Sequence, residues 1–366
     1  MAKLLSVIVP SYNMENYLHK CLGSFGVEQL MERMGSDGEP LAEKLEVIVV
    51  NDGSKDRTSE IAHEFEHKFP TVYRVIDKAN GHHGSCVNAA LKVVTGTYVR
   101  ILDADDAFAK PEFAEFMEYL DRLQTKHPGE VDLVFSGVAM VDPDDNVTST
   151  ECFSFPTECI FTLSEIVDRE LFQALSMVTY RTEIVRRVGY HQPEGVMYSD
   201  NIWTFAPLPA INRCAHFKKV LYRYLWGRPG QSMDSAVWAR NTHQMVTVFK
   251  AMMDCFNTAK PTLQPCNRKV MEKALLNIGQ IIYGMLFYHV PVKRAAEMFA
   301  EVDAAMEGTS PFVHAELGKS EAFTKIRPFK YVQFCRRHHA SFGWAARSLR
   351  SYKAIGKWVK KVLGGY

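Results

Sequence analysis

The sequence predicts an α/β protein built on an open, doubly wound, mostly parallel sheet, followed by a helical carboxy-terminal region. Three observations predict it. Apolar, β-branched runs alternate with helix-patterned segments four times within about 105 residues. Each run stops in a polar, turn-forming cluster, so polar groups gather along one sheet edge, where open α/β sheets bind ligands. Beyond Asp234 the chain turns Met-rich and helical in pattern, without repeats or low-complexity tracts. At 366 residues and 47% hydrophobic it can bury a large domain plus an appendage, and the pattern divides it at 1–233, 234–321 and 322–366.

Leu4 to Pro10 (LLSVIVP) is the continuous apolar run of a strand buried on both faces, and it exits through Pro10, Ser11 and Tyr12. Helix-like spacing to about Met34 and a GSDGEP loop lead to a second such strand, Leu45 to Val50, which exits into NDGS with Asp52 at its end. Asp56 is the expected N-cap of a helix through Phe65. Val72 to Asp77 reads as the third strand. Asn80, Gly81, His82 and His83 follow as loop residues, and then a helix over 85–95 that Gly96 closes. The fourth strand, from Tyr98, runs into the acidic loop DADD.

That loop is where chemistry is concentrated. Asp103 and Asp105 stand two residues apart at the carboxyl end of a central strand and can share one hard cation, which would suit a substrate pyrophosphate. An acidic turn ahead of the helix near Pro111 accounts for the same residues without a ligand. No GxGxxG follows the first strand and no GxxxxGK[ST] occurs in this region, so phosphate would be held by other means.

The linked motifs SVIVPSYNMENYLHKCLGSF, EVIVVNDGSKDRT and NGHHGSCVNAALKVVTGTYVRILDADD resemble, in order and spacing, the donor-binding half of family 2 glycosyltransferases with the GT-A fold. The resemblance covers roughly the first 110 residues. It implies an inverting transferase with a UDP-sugar as the expected donor and Mg²⁺ or Mn²⁺ as cofactor. It places Pro10, Ser11 and Tyr12 along the nucleoside, Asp52 on the base, Asp103 on the ribose hydroxyls and Asp105 on the metal bridging the diphosphate. Many members carry Arg before the Asn of the third motif, whereas Val87 precedes Asn88 here. The nucleoside contact of that Arg passes to His83 or a backbone amide, with Asn80 and Gly81 beside it.

Further along, Asp200 in VMYSDNIWTFAPL matches the family's general base, although Ser199 stands where Glu is usual. A helix N-cap is the other reading of Asp200. KKVLYRYLWGRPGQSM resembles the family's aromatic strand and the loop that closes over the diphosphate. Arg228 is its candidate phosphate contact, or else a solvated turn residue.

The remaining segments carry less chemistry. Val131 to Val141 reads as a strand, PDDN as a solvated turn, and Leu163 to Val188 as helix. Helices over 237–257 and 269–289 are expected to pack together, their methionines filling core. Ala274 to Val292 is uncharged and nearly of spanning length, but Asn277, Gln280 and His289 favour a buried helix.

A formal net charge of +1 hides an uneven distribution. After Glu321 no acidic residue follows, while eleven of the 43 Lys and Arg do, which leaves 32 basic against 42 acidic residues before it. In that tail Ile355, Trp358, Val359, Val362 and Leu363 recur at helical spacing among Lys353, Lys357, Lys360 and Lys361. Such a helix suits an anionic membrane surface, or the acidic body of its own chain. The expected partners are therefore a nucleotide sugar, a glycan or lipid-linked acceptor and an anionic membrane, not nucleic acid. The eight cysteines show no CxxC and no zinc spacing, and are expected to be reduced and buried. MAKLLSVIVPSYN passes directly into a strand-like run without a leader, so the expected location is cytoplasmic, peripheral on the inner face of the cell membrane. A sugar-phosphate nucleotidyltransferase would need a Gly-rich basic loop after the first strand, and VPSYN is neither. A nucleotide-sugar-binding protein without turnover is the other alternative.

Overall fold

The computed structural model describes residues 3–157, 159–169, 174–228, 235–319, 331–338 and 342–351. Two compact units divide the chain, Met1–Pro229 and Gly230–Tyr366.

The first unit opens with β1 (Leu5–Ser11), the short helices α1 (Leu18–Gly23) and α2 (Val27–Met31), β2 (Leu45–Asn51), α3 (Thr58–Lys68), β3 (Tyr73–Asp77), α4 (His82–Leu91) and β4 (Tyr98–Ile101). It continues with β5 (Ala107–Phe108), α5 (Lys110–Lys126), β6 (Leu133–Val141), β7 (Val147–Glu151), β8 (Phe161–Thr162), α6 (Leu163–Ile166), β9 (Val178–Arg181), α7 (Thr182–Arg187), α8 (Asp200–Phe205) and β10 (Arg213–Leu225). These strands form one sheet in the order β3-β2-β1-β4-β9-β6-β10-β5, with β7 on β6 and β8 on β10. The strands β1 to β4 are parallel, and Ile8 lies opposite both Ile48 and Ile101. Ser11, Asn51 and Asp77 lie side by side at the strand ends. The exits are therefore level, and the loops after β1, β2, β3 and β4 share one edge. Every residue of β2 is buried, as a strand covered on both faces requires.

The stretch 163–188 is not one helix. Its carboxyl half is β9, antiparallel between β4 and β6, followed by α7. Val178, Thr179 and Tyr180 are buried there, so strand pairing with distant neighbours overrides the helical spacing. Asp56 is not the N-cap of α3, a position held by Arg57. Its carboxylate instead accepts from the Thr58 amide and hydroxyl and from the Glu15 amide, tying the loop after β1 to that after β2. Nor are the two histidines loop residues. They open α4, with His82 at φ 65°, and the helix ends at Leu91. Cys152 and Cys159 are exposed, because they lie beyond the sheet core in the segment around β7 and β8, while the free Cys21, Cys86, Cys214 and Cys335 are buried.

The second unit consists of α9 (Ser235–Ala259), α10 (Pro265–Tyr288), α11 (Val292–Thr309), α12 (Pro311–Lys319), α13 (Tyr331–Arg337) and a helical stretch over 342–351. The expected pair 237–257 and 269–289 corresponds to α9 and α10, which pack on each other. Met245, Met252, Met253 and Met271 are buried between apolar neighbours, as core filler should be. Asp303 of α11 binds Arg336, the Tyr283 hydroxyl and His314, joining four helices in one polar knot. Among the described residues no helix is long and apolar enough to cross a membrane. The amphipathic pattern from Lys353 to Leu363 lies outside the described residues.

Candidate active site

The sequence-predicted residues lie on the loops leaving β1, β2, β3 and β4, at the starts of α4 and α8 and just after β10. Ser11 is buried at the end of β1 and its carbonyl accepts from the Asp52 amide at 2.8 Å, while Tyr12 beside it is exposed. Asp52 is buried, and its Oδ1 accepts from Lys78 Nζ at 2.7 Å and from the Gly81 amide at 2.9 Å. Asn80 donates to the Asp52 carbonyl at 3.0 Å. The residues expected along a nucleoside, Pro10, Ser11, Tyr12, Asp52, Asn80 and Gly81, thus form one connected rim around the ends of β1 and β2.

The acidic loop divides its labour. Asp106 is buried and faces inward, where its Oδ2 accepts from the Tyr222 hydroxyl at 2.6 Å and its Oδ1 from the Leu225 amide at 2.7 Å. The same hydroxyl accepts from the Asp103 amide at 3.2 Å, so one phenol of β10 pins both ends of the loop. Burial, with the charges of Asp105 and Asp103, pushes the Asp106 carboxyl far above the usual carboxylate range. Asp103 and Asp105 look the other way. Asp103 Oδ1 meets His83 Nε2 at 3.2 Å, and Asp105 Oδ2 accepts from Arg228 Nε at 2.5 Å. Burial and the charge of Asp103 raise the Asp105 carboxyl, and Arg228 only partly offsets them.

Asp200 is the first residue of α8, with Ser199 at the N-cap, so it is not the cap that its position in the sequence allowed. It has exposed surface, yet the protein around it is crowded enough for desolvation to raise its pKa, the combination of a carboxylate in a cleft. His83 lowers that pKa and Asp103 raises it further. Burial alone would lower the His83 imidazole, but the bond to Asp103 and the charges of Asp103, Asp200 and Asp105 outweigh it and leave the ring raised. His83 therefore stands electrostatically between the acidic loop and Asp200.

The family described as Glycosyl transferase family 2 matches residues 6–127. The first unit contains a family 2 glycosyltransferase domain, and its fold is GT-A. EpsJ of Bacillus subtilis, an uncharacterized glycosyltransferase, is 35% identical over 124 residues, 34% of this chain and 32% of that protein. The poly(ribitol-phosphate) β-N-acetylglucosaminyltransferase TarS of Staphylococcus aureus is 26% identical over 236 residues, 63% of this chain and 37% of TarS. The matched stretches thus span about a third of each relative. A crystal structure of TarS residues 1–349 with UDP-GlcNAc superposes with a TM-score of 0.69 at 20% identity, covering 96% of this chain and 92% of that one, which establishes the shared fold.

Within this glycosyltransferase domain, three site residues gave no signal in the sequence. Lys78 directly follows β3 and clamps Asp52 to the Ser85 hydroxyl. Tyr222 was visible only as one aromatic of an aromatic strand. Gln192, wholly buried in the loop before α8, contacts His83 and Ser199. Its loop packs so tightly on α4 that a Cβ on Gly84 would sit 2.1 Å from the Pro193 carbonyl oxygen, which is why the GHHGS segment needs glycine there. Among the described residues no three His, Cys, Asp or Glu are placed to hold a metal ion unaided. The donor set still fits a hard cation of the Mg²⁺ type, which binds through one or two carboxylates and completes its shell with substrate phosphates and water. Burial and, after it, the charge of Asp103 raise Asp105, and the second of these is what such a cation would relieve.

Proposed function

We propose that this protein transfers a sugar, with inversion, from a nucleotide sugar to a hydroxyl of a glycan or lipid-linked acceptor. The observation that carries the reading is the bond of Asp103 to His83, a ring that also feels the charges of Asp200 and Asp105 and follows directly on the Asn80 and Gly81 contacts to Asp52. A nucleoside bound along the rim at the ends of β1 and β2 points its diphosphate at the acidic loop. UDP-GlcNAc is the first donor to test, since TarS is named as an N-acetylglucosaminyltransferase and its crystal contains that donor.

In the proposed reaction Asp200 takes the proton of the acceptor hydroxyl as that oxygen attacks the anomeric carbon, and the bond to the diphosphate oxygen breaks. A raised pKa suits a base of this kind, because the carboxylate then holds the proton it takes more strongly. Arg228 supplies a guanidinium fork for the departing diphosphate, exchanging its contact with Asp105 for phosphate oxygens. Asp105 would hold Mg²⁺ or Mn²⁺, which when bound stabilises charge on the leaving diphosphate. Asp103 and His83 hold the ribose side. Acceptor-dependent release of nucleoside diphosphate tests the reading, and binding of nucleotide sugar without release would favour a non-catalytic binding protein.

The basic tail is proposed to hold the enzyme at an anionic membrane surface, near a lipid-linked acceptor and on the cytoplasmic face. Each cation close to such a surface adds about 1 kcal/mol. Sedimentation with vesicles should rise with anionic lipid, fall with salt and vanish on truncation after Ser341; indifference to anionic vesicles at low salt removes the membrane from the reading.

A further inference from the structure

The buried amide of Gln192 joins the two halves of the site. Its Nε2 lies 2.9 Å from His83 Nδ1 and 2.9 Å from Ser199 Oγ, and its Oε1 accepts from the Tyr190 hydroxyl at 2.8 Å. Its backbone is held as firmly as its side chain. Asn88 of α4 accepts from the Gln192 amide at 2.9 Å and donates to its carbonyl at 2.9 Å, a reciprocal pair that fixes the loop on the helix carrying His83.

The hydrogens in this chain follow from one end. The Tyr190 hydroxyl can only donate to Gln192 Oε1, which turns the amide nitrogen towards His83 Nδ1 and leaves Nε2–H for the Asp103 oxygen. In the neutral ring Nδ1 is then a bare acceptor, and the amide nitrogen of Gln192 is the donor that meets it. The second hydrogen of that nitrogen goes to Ser199 Oγ, and the remaining carbonyl takes the phenolic hydrogen of Tyr190. Every polar atom of the Gln192 head is satisfied in this arrangement. Ser199 occupies the N-cap of α8 yet its hydroxyl makes no capping bond. It is spent on Gln192 instead. Tyr198, just before it, is held at φ 65°, a strained conformation for a bulky residue that the surroundings must enforce.

We infer that Gln192 is a positioning residue of the proposed transfer: it fixes His83 as the Nε2–H donor to Asp103 and holds Ser199, and so sets Asp200 against the donor side of the site. The inference rests on the proposed function for its kinetic consequence, but not for its hydrogen-bond content. It also gives Ser199 a task of its own, at a position where the family resemblance expects Glu.

The test has a spectroscopic and a kinetic arm on the full-length protein. Long-range ¹H–¹⁵N NMR, with the ring assigned by its loss in His83→Gln, should find His83 in the Nε2–H tautomer. Gln192→Glu keeps the size and the contacts to Tyr190 and Ser199 but replaces a donor by an acceptor, so it should place a proton on Nδ1, an outcome that a packing role would not produce. Finding Nδ1–H in the unaltered protein, or no change in Gln192→Glu, overturns the inference. In kinetics Ser199→Ala should lower kcat about 10-fold with the donor KM within about 2-fold, and Gln192→Met should lower kcat and raise the donor KM together, by amounts typical of outer partners that orient site residues. Both variants at unaltered kcat and KM overturn it, and Ser199→Ala carries this arm alone if Gln192→Met does not fold. Protein that shows the Nε2–H tautomer but releases no nucleoside diphosphate refutes the transferase reading and leaves the relay standing.

Discussion

The two sides of this site are built by opposite means. The side formed by Ser11, Asp52 and Asp103 is a consequence of topology: parallel strands in level register must deliver their exits to one edge, whatever the side chains do there. The side formed by Gln192, Asp200, Tyr222 and Arg228 has no such guarantee. It reaches the first through side-chain bonds between residues far apart in sequence: His83 with Gln192, Asp105 with Arg228, Asp106 with Tyr222. The first side will therefore tolerate loss of single contacts, whereas the second depends on them one by one.

The sharpest way to break this contrast is at Asp105, which the topology places and whose proposed work is chemical. Asp105→Ala should lower turnover about 1,000-fold, the rate equivalent of about 4 kcal/mol of lost charge stabilisation, with the fold intact. Metal and nucleoside diphosphate together should raise the melting temperature of the unaltered protein and not of this variant. A fully active, EDTA-resistant variant would remove the metal from the mechanism. Asp200→Asn comes next, and should lower kcat by about 100-fold or more with donor affinity near normal, the low end of acid–base contributions. Loss of donor binding instead would move Asp200 from the acceptor to the donor side.

Much of the first side was legible because its signals are local. A continuous apolar run ending in NDGS or DADD announces a buried strand and its exit within a dozen residues. The second side was legible only where a residue matched a motif, as Asp200 and Arg228 did. Gln192 carries no local signal, since a glutamine within a turn segment such as HQPEG is ordinarily solvated, and its burial follows from Gly84 allowing the loop to close on α4. The misread stretch 163–188 has the same cause. Val178 to Arg181 is a strand because β4 and β6 offer it edges, information that lies about 45 to 80 residues upstream in the sequence.

A pH profile sharpens the assignment of the base. Asp200 must be ionised to accept a proton, and its raised pKa means that the ionised form is lost earlier as pH falls. At saturating metal and donor, kcat should fall about tenfold per pH unit below an apparent pKa that lies above the ordinary Asp value of 3.8, and should level off above it. In Asp200→Asn that acid limb should disappear from the residual activity. An unchanged limb would assign it to another group, with Asp105 the first alternative because its carboxyl is raised as well.

The smallest expected effect is the most telling about the acidic loop. Asp106 neighbours Asp105, is equally acidic, and by sequence alone has the same claim to a metal or phosphate. Its two oxygens are instead committed to the Tyr222 hydroxyl and to the Leu225 amide, in a buried setting that pushes its pKa far above the usual carboxylate range. Asparagine keeps both contacts but reverses one of them: its oxygen can accept from the Leu225 amide, while its NH₂ donates to the phenol oxygen and the phenolic hydrogen loses its acceptor. Asp106→Asn should therefore keep turnover within about 3-fold, because the loop stays anchored at both contacts, and should cost about 1–3 kcal/mol by urea unfolding for the one phenolic hydrogen left unpaired. Asp106→Ala should cost about 1–3 kcal/mol for each of the two partners left unpaired, Tyr222 and the Leu225 amide, and should loosen the loop that presents Asp103 and Asp105. If Asp106→Asn were instead as inactive as Asp105→Ala, the charge of Asp106 would belong to the chemistry, and the division of the acidic loop into an inward anchor and outward reactive groups would fail.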